Sequence, residues 1–351
     1  MDQQLIILRP PIPRSDYQQI EAVVRGTGVV TCFDSSVDPA SAVRFVSEKA
    51  RFRTETRALI DLNVFRDILS LGRPDDGRDA AHQRLAAALA IFFQTAGILV
   101  EPCMALHESP SDAALELELF YRIDNANPRE LLEVFHGKRT SVTLPDLSEP
   151  ISIDQAVLKR PLHGTTLLEI ALLKLATLLR ENMTNFERIE HFLIWCYDDF
   201  LFMQEPVILA IHQLAGNRPK PLLRGFNKID PKERLEGVRN ALWDCLLIRE
   251  WTRKLERQAT KGEIWLLASR DDTLRDYARK LVIADRGVED VAQVLDSTIA
   301  GIWPRHHAKR ISELYHRLTS NIEDPLRRFN HSGRNLDLES LKDQLQGRLI
   351  S

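Results

Sequence analysis

The stretch Arg57-Ala-Leu-Ile-Asp61-Leu-Asn63-Val-Phe-Arg-Asp67-Ile-Leu69 decides the fold. A short apolar run delivers Asp61 and Asn63, and apolar residues then recur at Val64, Ile68 and Leu69, the spacing of a helix face. Gly72-Arg-Pro74 stops that helix. The arrangement returns late in the chain. In Glu263-Ile-Trp-Leu-Leu-Ala-Ser269-Arg-Asp271-Asp-Thr-Leu-Arg-Asp-Tyr-Ala278 a second apolar run delivers Ser269 and Asp271, and helical spacing follows. Both carboxylates are thereby expected at the carboxyl ends of buried strands, where open α/β sheets bind their ligands. Carboxylates gathered there repel one another unless a cation or a proton joins them. A magnesium site is the first expectation.

Outward from these segments the chain reads as mostly helical. Residues 78–96 carry Leu85, Ala88, Leu89, Ile91 and Phe92 at helical spacing. Ile98–Val100 reads as a short strand, and Pro102 is placed to open a helix that carries Glu108. Leu115-Glu-Leu-Glu-Leu119 alternates like a strand, but its surroundings from 111 to 124 favour a helix. Residues 1–55 form an N-terminal extension, with the apolar run Leu5–Leu8, a Pro-rich break at Pro10–Pro13 and a strand-like Val-Val-Thr step within Val23–Cys32. Short strands and a helix–strand unit both fit it.

A largely helical insertion occupies about 140–230, with the apolar Leu167–Leu179 and the aromatic-rich Phe186–Leu214, broken by Pro206. Helices apolar on most faces are buried, so the insertion is packed structure. Asn217–Pro221 reads as a loop, and Lys232–Leu255 as a long amphipathic helix. Residues 286–351 form a polar, helical C-terminal region with stretches at 308–320 and 337–349. There is no internal repeat.

Composition narrows the class. With 44% hydrophobic and 28% charged residues, the 351-residue chain has the make-up of a soluble globular protein with a proper core. A net charge of −3 argues against wholesale electrostatic binding of nucleic acid, but 47 Lys and Arg leave material for a local basic groove. Cys32, Cys103, Cys196 and Cys245 lie far apart, so neither a zinc site nor a disulfide framework is indicated. The first residues lack a basic segment followed by a long apolar one, and no run approaches the ~20 residues that span a bilayer. A cytoplasmic protein without a membrane partner is expected.

Asp61-Leu-Asn63 after one strand and Ser269-Arg-Asp271 after a later one resemble the PIN-domain nucleases, a family of Mg²⁺- or Mn²⁺-dependent ribonucleases that includes many bacterial toxins. The match covers about 56–136 and 232–285. It implies an α/β, PIN-like core at 56–285 with a central, mostly parallel sheet, interrupted by the helical insertion. The family also has a helical Glu and an Asp near the start of a further helix, and Glu108 and Asp244 are the candidates for these. On this resemblance Asp61, Glu108, Asp244 and Asp271 hold the metal and are catalytic, while Asn63 and Ser269 orient carboxylates or contact phosphate. RNA, or single-stranded DNA, is the implied substrate, with an antitoxin or a second copy of the chain as an implied partner. The departure from the family is size, because PIN domains are usually compact.

The chemistry suits the residues. Hydrolysis of a phosphodiester needs an activated water and relief of charge at phosphorus, and divalent metals supply both. Mg²⁺ takes oxygen ligands and keeps several waters, so a few carboxylates suffice. Plainer roles compete for each acid. Asp61 and Asp271 also read as helix N-caps. Asp272 competes with Asp271, and Glu101 and Glu116 compete with Glu108. Asp244 reads equally as a helix-face salt bridge to Arg239 or Lys232, and Asp67 as a solvated helix residue. The run Arg218-Pro-Lys-Pro-Leu-Leu-Arg-Gly-Phe-Asn-Lys228 reads either as an exposed connector or as a phosphate-binding wall made by Lys220, Arg224 and Lys228.

Other motifs are set aside or kept as rivals. Cys196-Tyr-Asp-Asp-Phe200 resembles the paired aspartates of reverse transcriptases, but its apolar flanks make it a helix with a polar stripe. Arg310 and His316 have the spacing of the metal-independent HEPN ribonucleases. No Gly-x-x-x-x-Gly-Lys exists, so nucleotide hydrolysis of the P-loop type is excluded. A catalytically inactive helical interaction module is the rival from a different class.

Overall fold

The computed structural model describes residues 12–33, 37–73, 77, 79–109, 112–147, 162–216, 221–283, 288–321 and 336–351. These form a mixed α/β protein that divides into two compact units. The first comprises residues 1–160 and 250–275, and the second 161–249 and 276–351. No helix among the described residues is long and apolar enough to cross a membrane.

The first unit holds the sheet. In chain order it contains α1 (Arg14–Thr27), β1 (Val30–Cys32), α2 (Ala42–Phe52), β2 (Glu55–Ile60), α3 (Leu62–Ser70), α4 (Ala80–Ala96), β3 (Leu99–Glu101), α5 (Cys103–Glu108), α6 (Ala113–Asp124) and α7 (Pro128–Phe135). Two later elements complete it: the end of α11 (Pro231–Lys261) and the strand β4 (Glu263–Ala268). Strand order is β1-β4-β2-β3. The central β2 runs parallel to β3 and β4, while β1 is antiparallel to β4. Ala58, Leu59 and Ile60 of β2 and Leu266, Leu267 and Ala268 of β4 are all buried, as strands covered on both faces require.

Helices close over this sheet. Every residue of α4 from Ala86 to Phe93 is buried, and its alanines let α1, α3 and α7 pack closely around it. Residues 12–33 and 37–55 are part of this core and not an appendage, because β1 is a strand of the sheet and Ile20, Val24 and Phe45 are buried in the same cluster. The core also extends beyond 140, where the Val142 amide donates to the Leu71 carbonyl at 2.8 Å.

The second unit is helical: α8 (Thr165–Arg180), α9 (Asn185–Asp198), α10 (Gln204–Leu214), most of α11, most of α12 (Asp272–Ile283), α13 (Val288–Ile302), α14 (Arg305–Ser320) and α15 (Leu338–Ile350). The expected insertion and the expected C-terminal region therefore belong to one body. Their union is visible in α15, which packs on α8. Guanidinium groups of Arg180 and Arg234 reach the Leu349 carbonyl at 2.5 and 2.7 Å, placing two cations at the negative end of that helix. The break expected at Pro206 falls earlier, at 199–203, and Pro206 sits in the first turn of α10, where its missing N–H is harmless.

Buried in this unit is His212, 7% exposed, its ring edge-on to Tyr277 and its Nε2 without a hydrogen-bond partner among the described residues. Burial, with Lys280 adding to it, pushes its pKa down to about 4. An unfolded histidine titrates near ~6.5, so between these values the unfolded chain binds a proton that the folded chain refuses. Stability is complete above that window and falls as pH drops through it, by about 1.4 kcal/mol per pH unit. His212→Leu is expected to flatten this part of the pH dependence, measured as urea midpoints at several pH values. An equal slope in the variant would remove His212 from the account.

Candidate metal centre at the carboxyl ends of β2 and β4

Asp61 follows β2 directly and Ser269 follows β4 directly, and these strands are parallel neighbours paired through Ile60 and Ala268. Ladder bonds run past both ends. The Asp61 amide donates to the Ala268 carbonyl at 3.0 Å, and the Ser269 amide to the Val29 carbonyl at 2.9 Å. The two residues are thus fixed side by side at one edge of the sheet.

Their side chains meet. The Ser269 hydroxyl donates to Asp61 Oδ2, and the Asp271 amide donates to Ser269 Oγ at 3.0 Å. Asp61 Oδ1 accepts the Asn63 amide, which makes Asp61 the N-cap of α3. Asp271 Oδ1 likewise accepts the amides of Thr273 and Leu274, at 2.8 and 3.2 Å, at the start of α12. The cap expectation therefore holds for both acids, and the Ser269 hydroxyl joins the Asp61 carboxylate to the Asp271 main-chain amide. Asp272 turns outward to Arg275, so Asp271 is the member of the pair that joins the cluster.

Asp61 is 6% exposed, and burial raises its pKa against the lowering effect of hydrogen bonds from Ser269 and Asn63. An ionised carboxylate in this position calls for a counter-charge. Two neighbours that the sequence does not flag hold the site in place. Asp67 is 1% exposed and pairs with Arg270 at 2.9 Å, which corrects its reading as a solvated residue. Arg275, also buried, donates to the Ser269 carbonyl, to Asp272 and, at 3.4 Å, to the Thr27 carbonyl, tying the start of α12 to the end of α1. A signal for Asp67 existed: with Val64, Ile68 and Leu71 it lies on the stripe that α3 buries.

The remaining candidates are distributed more widely. Glu108 is the last residue of α5 and half-buried. Its rival Glu101 pairs with Arg57 and Lys254, each at 2.9 Å. Glu116 is 5% exposed, and its Oε2 has no hydrogen-bond partner among the described residues. Phe120 of α6 lies 5.6 Å from Phe65 of α3, and Leu119 and Ile123 lie against Gly72 just beyond α3. Asp244 is half-exposed and belongs to the second unit, as do Arg224 and Lys228. Lys228 pairs with Glu233 at 3.3 Å, and Lys220 lies outside the described residues. Among the described residues no three His, Cys, Asp or Glu side chains gather as a metal-holding group.

The rival motifs resolve into structure. Arg310 pairs with Glu190 at 2.9 Å, and His316 with Asp296 at 2.9 Å. Six residues apart on α14, they stand about 120° apart around the helix and face different neighbours. Asp198 and Asp199 are exposed at the end of α9. The chain matches no protein-family model, no curated protein and no solved structure.

Proposed function

We propose that the chain is a divalent-metal-dependent nuclease acting on RNA, with a PIN-like core and its centre at Asp61, Ser269 and Asp271. The observation that carries the reading is the Ser269 hydroxyl, which joins the Asp61 carboxylate to the main-chain amide of Asp271 at the carboxyl ends of adjacent parallel strands.

The donor set suits Mg²⁺ or Mn²⁺. It consists of hard oxygen ligands, and Mg²⁺ is commonly held by one or two carboxylates with water and substrate phosphate completing the shell. Asp61 and Asp271 would hold the metal, with Glu108 the helical acid that the resemblance offers to assist. Bound there, the metal would supply Lewis acidity and an activated water. The protein's own contribution is positional. The Asn63 amide and the Ser269 hydroxyl hold the Asp61 carboxylate, and the Asp67–Arg270 pair fixes the step between Ser269 and Asp271. A toxin or defence role, an antitoxin and self-association rest on the family resemblance alone.

A second reading has an observation of its own. Both acids already cap helices, so an inactive interaction module would keep the same geometry. Metal dependence separates the two readings. Cleavage of labelled single-stranded RNA is expected with Mg²⁺ or Mn²⁺, lost in EDTA and restored by added metal. Cleavage that persists in EDTA, or no cleavage with either metal, contradicts the nuclease assignment.

A further inference from the structure

The C-terminal end of α2 presents one aromatic ring and three cations to solvent. Phe52 is 70% exposed, and it is the only exposed Phe, Tyr or Trp among the described residues. Around the helix axis Lys49 lies about 60° from Phe52 on one side and Arg51 about 100° on the other, and Arg53 follows directly. All three cations are exposed, and among the described residues no carboxylate pairs with any of them. Of the nearby acids, Glu48 is half-buried and Glu55 is paired with Arg57 at 3.0 Å.

Helix physics accounts for part of this arrangement. Cations suit the negative end of a helix, and the Lys49 ammonium also lies near Gly97, which caps the C-terminus of α4. Arg53 is not accounted for in this way. It ends α2 at φ +56°, with its amide donating to the Lys49 carbonyl at 3.0 Å, and it is the only non-glycine residue with positive φ among the described residues. α1 and α4 close in the same conformation on Gly28 and Gly97. A glycine would serve the turn better, so a side chain kept there against the backbone's preference points to a use for the guanidinium.

We propose that this end of α2 binds single-stranded RNA, with Phe52 stacked on a base and Lys49, Arg51 and Arg53 holding the phosphates on either side. Such binding needs a flat apolar face set among cations, and it takes bases that are not already stacked in a duplex. A membrane would require a broader apolar face. Val43, the other large apolar residue that α2 exposes, lies about 180° from Phe52 around the helix. The choice of RNA rests on the nuclease reading. The surface is nevertheless separate from the metal centre, because Arg53 precedes β2 and Asp61 follows it, and the six residues of that strand span about 20 Å. It retains substrate and takes no part in the chemistry.

The test is fluorescence anisotropy of a labelled single-stranded oligouridine with the full chain in EDTA, where metal-dependent cleavage does not interfere. Phe52→Ala is expected to weaken binding at least about fivefold, the loss of one base stack, and Phe52→Trp to retain it. Arg53→Gly should melt no lower than the wild type and bind less tightly. It should also reduce the slope of log affinity against log salt by about 0.7, the value of one phosphate contact on a single strand. Val43→Ala should bind as the wild type does. Absence of RNA binding, equal affinity in Phe52→Ala, an unchanged salt slope in Arg53→Gly, or phosphatidylserine vesicles bound through Phe52 in place of RNA would overturn the proposal. The nuclease reading fails separately. With Mn²⁺, Phe52→Ala is expected to raise KM and keep kcat. RNA bound through Phe52 but never cleaved would remove the nuclease and leave this surface standing, whereas cleavage with Phe52→Ala kinetics equal to the wild type would do the reverse.

Discussion

Asp61→Asn is expected to lower RNA cleavage at least about a hundredfold while the protein remains folded. The fold should survive because Asn is as good an N-cap as Asp, and its Oδ1 can keep the Asn63 amide. The Ser269 hydroxyl can turn from donor to acceptor and meet the new amide group. Charge adds to this. Burial raises the Asp61 pKa, so its ionised form is the disfavoured one in the folded state, and stability from this group grows as pH falls, not as it rises. Without metal the variant should therefore melt no lower than the wild type near neutral pH. With millimolar Mn²⁺ the wild type alone should gain stability by mass action. Glu108→Gln is expected to impair cleavage as well. Melting curves with and without metal, beside cleavage rates, check these outcomes; unchanged cleavage in Asp61→Asn would end the assignment.

Gly237→Ala is expected to be the most damaging single methyl in the second unit, at about 3 kcal/mol. Gly237 lies within α11, where alanine is ordinarily the better helix former by about 1 kcal/mol. Here the backbone of another segment occupies the space. A Cβ would overlap the Arg224 carbonyl oxygen, lie 3.0 Å from its carbon and approach the Gly225 Cα at 3.4 Å. That segment cannot easily retreat. Leu222 and Leu223 are buried, and Gln213 grips the Leu223 backbone through two hydrogen bonds of 2.9 and 3.2 Å. Gly225 has φ +78°, so its own path is set by a conformation other residues avoid. The urea midpoint of the variant measures the effect. A midpoint equal to the wild type would mean that the segment carrying Arg224 and Lys228 is not packed against α11 as described.

Much of the site was legible because its signals are local. The apolar runs ending at Ile60 and Ala268 are too short for helices and too apolar for loops, and each is followed by an acid and helical spacing. Adjacency of the two strands was not legible, since pairing between residues so far apart is set by packing. β1 was obscured by its length of three residues. Asp67 was misread because a charged residue between Arg66 and Ile68 suggests a solvated face, whereas its partner Arg270 comes from the far end of the sequence. The burial of Glu116 was not legible either, because it depends on how α6 packs on α3. The grouping of 161–249 with 276–351 has the same origin: each part reads as amphipathic helix, and no periodicity tells which faces meet.

The most direct measurement is to locate the metal. Crystals of the full chain soaked in Mn²⁺, with diffraction recorded where manganese scatters anomalously, should show a peak at the carboxyl ends of β2 and β4, within about 2.0–2.3 Å of oxygens from Asp61 and Asp271. Asp61→Asn crystals treated identically should lack it. A wild-type map with no peak beside Asp61, or one whose manganese lies only on surface carboxylates elsewhere, would contradict the account at its centre.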